Sequence, residues 1–188
     1  GVDILINSSK IIFISSIYSN RFKQINYYKK IHSLINDKIE IIPNGIDSFW
    51  INNLKKRKTI PNNPIELLYI GNFSSNKNLL RLIKAVNFLN KEIYICNLKV
   101  IGSKGSQEKR ILNEIKKEKH FTYLGEIRDK DKIQEIFGNT DVFTMPSKTE
   151  TFGLVYIEAL SQGIPILYTI NEGIYNLYEN IGEPVNPY

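Results

Sequence analysis

Short apolar runs alternating with segments of helical spacing constrain this chain more than anything else in it. Candidate strands fall at residues 11–15, 38–42, 66–70, 98–101, 121–124, 142–145 and 166–169. Several are continuous apolar stretches, the pattern of strands buried on both faces. Candidate helices fall at 79–89, 107–119, 130–137 and 153–161. In the first of these, Leu79, Leu82, Ile83, Val86 and Leu89 share one face. That stripe predicts core packing. Strand–helix alternation over this length predicts an α/β fold, a doubly wound parallel sheet with right-handed crossovers. Ligands of such sheets settle beyond the carboxyl ends of the strands. The residues that follow each strand therefore carry the functional information.

Two turn clusters divide the chain. Pro43-Asn44-Gly45 closes a first unit, residues 1–47, and Pro61-Asn62-Asn63-Pro64 precedes the first strand of the main domain, residues 48–188. With 188 residues the chain can bury one full core and a modest appendage. It opens on Gly1 rather than methionine, and we expect it to be a fragment. The lone cysteine, Cys96, excludes a disulfide framework and fits a small core residue in a reducing compartment. His32 and His120 are too isolated for a zinc pair. No apolar run approaches the roughly 20 residues of a membrane span, and no leader peptide is visible.

The net charge of +6 suits anionic partners. Its densest cluster, Lys55-Lys56-Arg57-Lys58, reads as a solvated loop, and no aromatic residues interleave with it as a nucleic-acid groove would require.

The most informative stretch is Pro146-Ser147-Lys148-Thr149-Glu150-Thr151-Phe152-Gly153, a polar loop between a strand and a helix. Unpaired N–H groups at a helix start favour negative charge, and a glycine there lets a ligand approach the backbone. Glu150 and Glu158 flank this opening, eight positions apart. In an unbroken helix they would sit about 80° apart around the axis, so they converge only if the helix begins between them. Carboxylates accept hydrogen bonds from vicinal sugar hydroxyls. On spacing alone, Glu150 as a dipole partner and Glu158 as a surface residue serve equally well.

The run from Glu150 to Glu158, Glu-Thr-Phe-Gly-Leu-Val-Tyr-Ile-Glu, resembles the E-x7-E motif of retaining glycosyltransferases of the GT-B fold, in particular glycosyltransferase family 4. Its companions appear in the family's order. Ile42-Pro43-Asn44-Gly45-Ile46-Asp47 is similar to the I-P-N-G-V-D entry to the C-terminal domain, and Asp141-Val142-Phe143-Thr144-Met145-Pro146-Ser147 to the strand before the motif. Glu158-Ala159-Leu160-Ser161-Gln162-Gly163-Ile164-Pro165 is similar to E-A-m-a-x-G-x-P, and Val100-Ile101-Gly102 and Tyr123-Leu124-Gly125 match two strand ends.

The resemblance implies a Rossmann-like GT-B C-terminal domain, truncated, preceded by the tail of an acceptor domain. It implies that Glu150 contacts the transferred sugar, that Glu158 binds the ribose, and that the backbone of Phe152, Gly153 and Leu154 holds phosphate or sugar. Gly71-Asn72-Phe73-Ser74-Ser75-Asn76-Lys77-Asn78 resembles the family's G-R-x4-K loop, so Lys77 would neutralise the departing diphosphate. Asn72 stands where arginine is usual. Ile127 would border the base. Asp129-Lys130-Asp131 matches the metal motif D-x-D but sits at a helix start, where aspartate caps.

The implied activity is sugar transfer from a nucleoside-diphosphate sugar to an acceptor glycan or lipid-linked sugar, with no essential metal, in the cytoplasm or at the inner membrane face. The other readings are a non-catalytic nucleotide-sugar-binding module and a GT-B-fold epimerase.

Overall fold

The computed structural model describes residues 1–56, 60–92 and 95–188, with the backbone alone for Glu92. Arg57 and Lys58 of the basic cluster lie outside the described residues. The first unit contains α1 (Val2–Asn7), β1 (Ile11–Phe13), α2 (Ser16–Gln24), α3 (Asn26–Ile35) and β2 (Ile39–Ile41). β1 and β2 pair in parallel. Tyr28, Ile31 and Ile35, at helical spacing along α3, pack against Val2, Leu5, Ile6, Phe22 and both strands. The sequence reading had no helix here. The signals were present: Ser15 Oγ caps α2 by accepting the Tyr18 N–H at 3.4 Å, and α3 carries the apolar stripe.

The main unit opens with the short α4 (Ser48–Asn52), capped by Asp47. It then alternates β3 (Ile65–Ile70), α5 (Leu79–Glu92), β4 (Cys96–Ile101), α6 (Glu108–Ile115), β5 (Phe121–Tyr123), α7 (Lys130–Gly138), β6 (Val142–Thr144), α8 (Leu154–Ser161), β7 (Ile166–Thr169) and β8 (Gly182–Val185). All six strands are parallel, in the order β5-β4-β3-β6-β7-β8. The predicted doubly wound α/β sheet is therefore present. β3 and β4 pair along their full lengths, from Ile65↔Cys96 to Ile70↔Ile101. Leu67, Leu68 and Tyr69 are buried in succession, as a central strand covered on both faces requires.

The α5 stripe is buried at Leu79, Leu82, Ile83 and Val86, but Leu89 is exposed. Helix α6 ends at Ile115, short of the expected 119. β8, which carries Gly182 and Pro184, was not anticipated. As an edge strand it tolerates proline. Cys96 is buried, and burial pushes its thiol up, which keeps it protonated and unreactive.

Candidate functional site

The chain winds outward from β3 through β4 to β5, then crosses back to β6 and outward again to β8. The carboxyl ends of β3 and β6 thus flank the point where the winding reverses, and a crevice forms there. Two loops fill its rim. Residues 71–78 leave β3, and residues 145–153 leave β6.

One ion pair bridges them. Lys77 Nζ donates to Glu150 Oε2 at 2.6 Å, with the side chains only 20% and 11% exposed. Asn76 binds the same two loops through its whole amide. Its Oδ1 accepts the Thr149 N–H at 3.1 Å and the Thr149 hydroxyl at 2.7 Å, while its Nδ2 donates to the Thr149 carbonyl at 2.8 Å. The Lys148 N–H adds a bond to the Asn76 carbonyl at 2.7 Å. Below the rim, Ser147 is fully buried, and its carbonyl accepts the Thr169 hydroxyl at 2.5 Å.

Gly71 begins the first loop. Asn72 follows, exposed, with its Oδ1 turned back to accept the Ser74 N–H at 3.1 Å. The residue that stands in the place of an arginine thus stabilises its own turn.

Gly153 caps α8 at φ +80° with no side-chain cap. A β-carbon there would fall 2.6 Å from Tyr156 Cε2, so glycine is needed for both the backbone angle and the space. The helix thereby starts between Glu150 and Glu158. Phe152 is buried and Leu154 is 43% exposed, so the uncapped end opens outward on one side. Tyr156 donates its hydroxyl to the Met145 carbonyl. Burial, with the Glu150 charge as a lesser cause, pushes the Tyr69 and Tyr156 hydroxyls well up and keeps them as donors.

Glu158 is half-buried on the second turn of α8. Burial raises its carboxyl above the ordinary range; the Trp50 indole and Lys130 oppose the rise, and Asp47 adds to it. Trp50 Nε1 favours the Glu158 carboxylate yet is buried with no partner in full hydrogen-bond geometry among the described residues. Asp47 is engaged with Lys130 Nζ at 2.6 Å.

Ile127 follows β5 and packs half-buried against the core, two strands away from β3. Asp129 caps α7, accepting the N–H groups of Asp131 at 3.0 Å and Lys132 at 3.2 Å. No three His, Cys, Asp or Glu side chains gather as a metal set among the described residues. A separate cavity of about 580 Å³ opens at the opposite, amino edge of the sheet, lined by Lys55, Gln134, Asp141, Gln162 and Pro165. It shares no residue with the crevice.

The structure therefore joins Lys77 to Glu150 and places Gly71, Asn72, Phe152, Gly153 and Leu154 on the two loops or the helix end beside them. Glu158 and Ile127 stand further off. Sequence reasoning missed the roles of Asn76 and Glu172. Glu172 follows β7 at the same carboxyl edge, which was the available signal.

The family model described as "Glycosyl transferases group 1" matches residues 51–180, more than half of the chain. The O-antigen biosynthesis glycosyltransferase WclY of Escherichia coli is 29% identical over 147 residues, covering 76% of this chain and 39% of that protein. The chain thus spans about two fifths of that relative's length. Among solved structures, a Staphylococcus aureus TarM mutant in complex with Fondaparinux, alpha-GlcNAc-glycerol and UDP superposes with a TM-score of 0.74 at 16% identity, covering 98% of this chain and 35% of that one. The C-terminal domain of a glycosyl transferase group 1 family protein, LpcC of Francisella tularensis, superposes with a TM-score of 0.60 at 19% identity, covering 76% of this chain and 80% of that one. At these identities the superpositions show the fold, the Rossmann-like domain of GT-B proteins.

Proposed function

The chain belongs to the glycosyl transferases group 1, and from that premise we propose that it is the donor-binding part of a retaining glycosyltransferase. The observation that carries this reading is the Lys77–Glu150 pair, at 2.6 Å, on the rim of the crevice where the sheet reverses. A nucleoside-diphosphate sugar needs two things from such a rim. It needs a cation where charge develops on the leaving diphosphate, and an acceptor for the hydroxyls of the sugar. Lys77 supplies the first and Glu150 the second. An ammonium has three donors, so Lys77 can meet a phosphate oxygen while it still holds Glu150. The uncapped N–H groups at the start of α8 add positive potential beside them. Glu158 would accept the ribose hydroxyls, and Ile127 would line the base.

In the reaction, the anomeric bond to the diphosphate breaks and one to the acceptor oxygen forms on the same face. The acceptor hydroxyl gives up its proton to the departing diphosphate. This reading invokes no metal; Lys77 and the helix end supply the positive potential facing the diphosphate. Residues 1–47 would be the tail of an acceptor domain and the linker, and 48–188 the donor domain. The acceptor, a glycan or lipid-linked sugar, would sit against the rest of the first domain. A charge of +6 suits a cytoplasmic protein that touches an anionic inner membrane face; no helix among the described residues is long and apolar enough to cross a membrane.

Titration calorimetry with UDP-, GDP- and ADP-glucose tests the reading. One of the three should bind, and Lys77→Ala should weaken it. Absence of binding by all three would sink it.

One observation favours a second reading, a non-catalytic nucleotide-sugar-binding module: Asn72 is neutral and its Oδ1 is turned back onto the Ser74 N–H. Asn72→Arg separates the two. In a transferase rim one more charged donor should tighten nucleoside-diphosphate binding about fivefold. An unchanged affinity would favour the module.

A further inference from the structure

Glu150 is fixed at its backbone as well as at its carboxylate. Its N–H donates to Glu172 Oε2 at 3.0 Å, and its carbonyl accepts the Gly173 N–H at 2.7 Å. One dipeptide, Glu172-Gly173, therefore holds both faces of the Glu150 peptide. Gly173 achieves this with φ +52°, where a β-carbon would fall 2.9 Å from the Phe152 carbonyl oxygen and 3.1 Å from Glu150 Cγ. The fit leaves no room for a side chain.

Glu172 is an unusual residue to bury beside another carboxylate. Its side chain is 8% exposed, and an uncompensated charge in such a place is costly. The compensation comes from the first unit of the chain. Arg21, on α2, donates to Glu172 Oε1 and, through the same Nη2, to the Asn171 carbonyl at 2.8 Å. The Glu172 charge and hydrogen bond in turn raise the Arg21 guanidinium still higher, so the cation is permanent. The two Glu172 oxygens thus face opposite ways. One takes the guanidinium, and the other takes the Glu150 amide.

The geometry points to Glu172 as a positioning residue for Glu150, itself anchored by Arg21 from outside the family-matched region. The inference rests on the donor-site reading for its consequence, since fixing Glu150 matters to transfer only if Glu150 meets the sugar. The clamp itself does not depend on any ligand. A carboxylate accepting a backbone N–H is a charge-assisted bond, stronger than a neutral one. It fixes the peptide from which the Glu150 side chain extends, and with it the place where Lys77 is met. Displacing α2 would remove the cation and leave the buried Glu172 carboxylate without its charged partner.

Amide hydrogen exchange on the ligand-free chain reads the clamp directly. Glu172→Ala should raise exchange at the Glu150 amide about tenfold, with amides in β3 and β4 unchanged. Arg21→Ala, at a half-exposed position, should raise it about threefold. Glu172→Gln keeps an oxygen for the Glu150 N–H but removes the charge, so it should recover most of the protection. In that background Arg21→Ala should have no further effect, because no charge remains to neutralise. A purely structural role would not produce this cancellation.

A parallel titration with UDP-, GDP- and ADP-glucose and the free nucleotides tests the consequence. Glu172→Ala should weaken the sugar nucleotide more than the free nucleotide. If Glu150 exchange responds as stated and none of the sugars binds, the clamp stands and the donor reading falls. Unchanged Glu150 exchange in Arg21→Ala overturns the clamp, even if Glu172→Ala fails to fold. A uniform rise across all amides in Glu172→Ala overturns it as well.

Discussion

Glu150 and Glu158 belong to one nine-residue motif, yet the fold treats them in opposite ways. Glu150 lies in a loop, where its carboxylate meets Lys77 at 2.6 Å and its peptide is bonded on both sides by residues 172 and 173. Glu158 lies on a helix, half-buried, with its carboxyl pushed up by burial. Trp50 Nε1, whose indole opposes that rise, makes no full hydrogen bond among the described residues. One carboxylate is fixed before any ligand arrives. The other is held in a state that an incoming donor would improve. The contrast teaches that spacing sets which residues can converge, while the local surroundings decide what each is prepared to do.

The contrast can be broken at several points, beginning with the largest effect. Glu150→Gln removes the negative partner of Lys77 and the acceptor for the sugar. Calorimetry should show binding of the sugar nucleotide weakened about a hundredfold, with the free nucleoside diphosphate nearly unchanged. Equal losses for both ligands would assign Glu150 to the nucleotide instead. Gly153→Ala acts on the junction between the two carboxylates. A non-glycine residue at φ +80° pressed against Tyr156 should cost about 2 kcal/mol in denaturant unfolding. A stability loss below a few tenths would mean that the junction relaxes freely.

Glu158→Ala should weaken sugar nucleotide and free nucleotide alike, by about tenfold, because the ribose is common to both. A loss confined to the sugar nucleotide would exchange the roles of the two glutamates. The smallest effect is in pH dependence. The Glu158 carboxyl is raised in the folded chain above its unfolded value. Its contribution to stability is therefore fully present below the unfolded pKa and lost as pH rises through the folded one. Relative to Glu158→Gln, the unaltered chain should lose stability over that window, starting near the ordinary glutamate range. A difference that stays constant with pH would show that burial does not govern this carboxyl.

Much of this was legible beforehand, for stated physical reasons. Continuous apolar runs at β3 and β7 identified buried parallel strands because both of their faces are covered. Glycine at 153 marked the helix start because no other residue suits the angle. The edge strand β8 was hidden because proline at its solvent side breaks the usual pattern without breaking the pairing. The Glu172 clamp was hidden for a different reason. Its partners Arg21 and Glu150 lie 151 and 22 positions away, and nothing local in the sequence signals such contacts. Asn72 was visible as a departure, but not that its amide serves its own turn.

The Asn76–Thr149 stitching has a consequence for how the chain reaches this state. Its hydrogen bonds join residues 73 positions apart. Neither loop can find the other until β6 has docked beside β3, which closes off the long segment carrying β4, β5 and their helices. Closing so long a segment is entropically slow and is rewarded only at the end. The rim should therefore be among the last parts of the chain to order during folding, and among the first to open when the native state fluctuates.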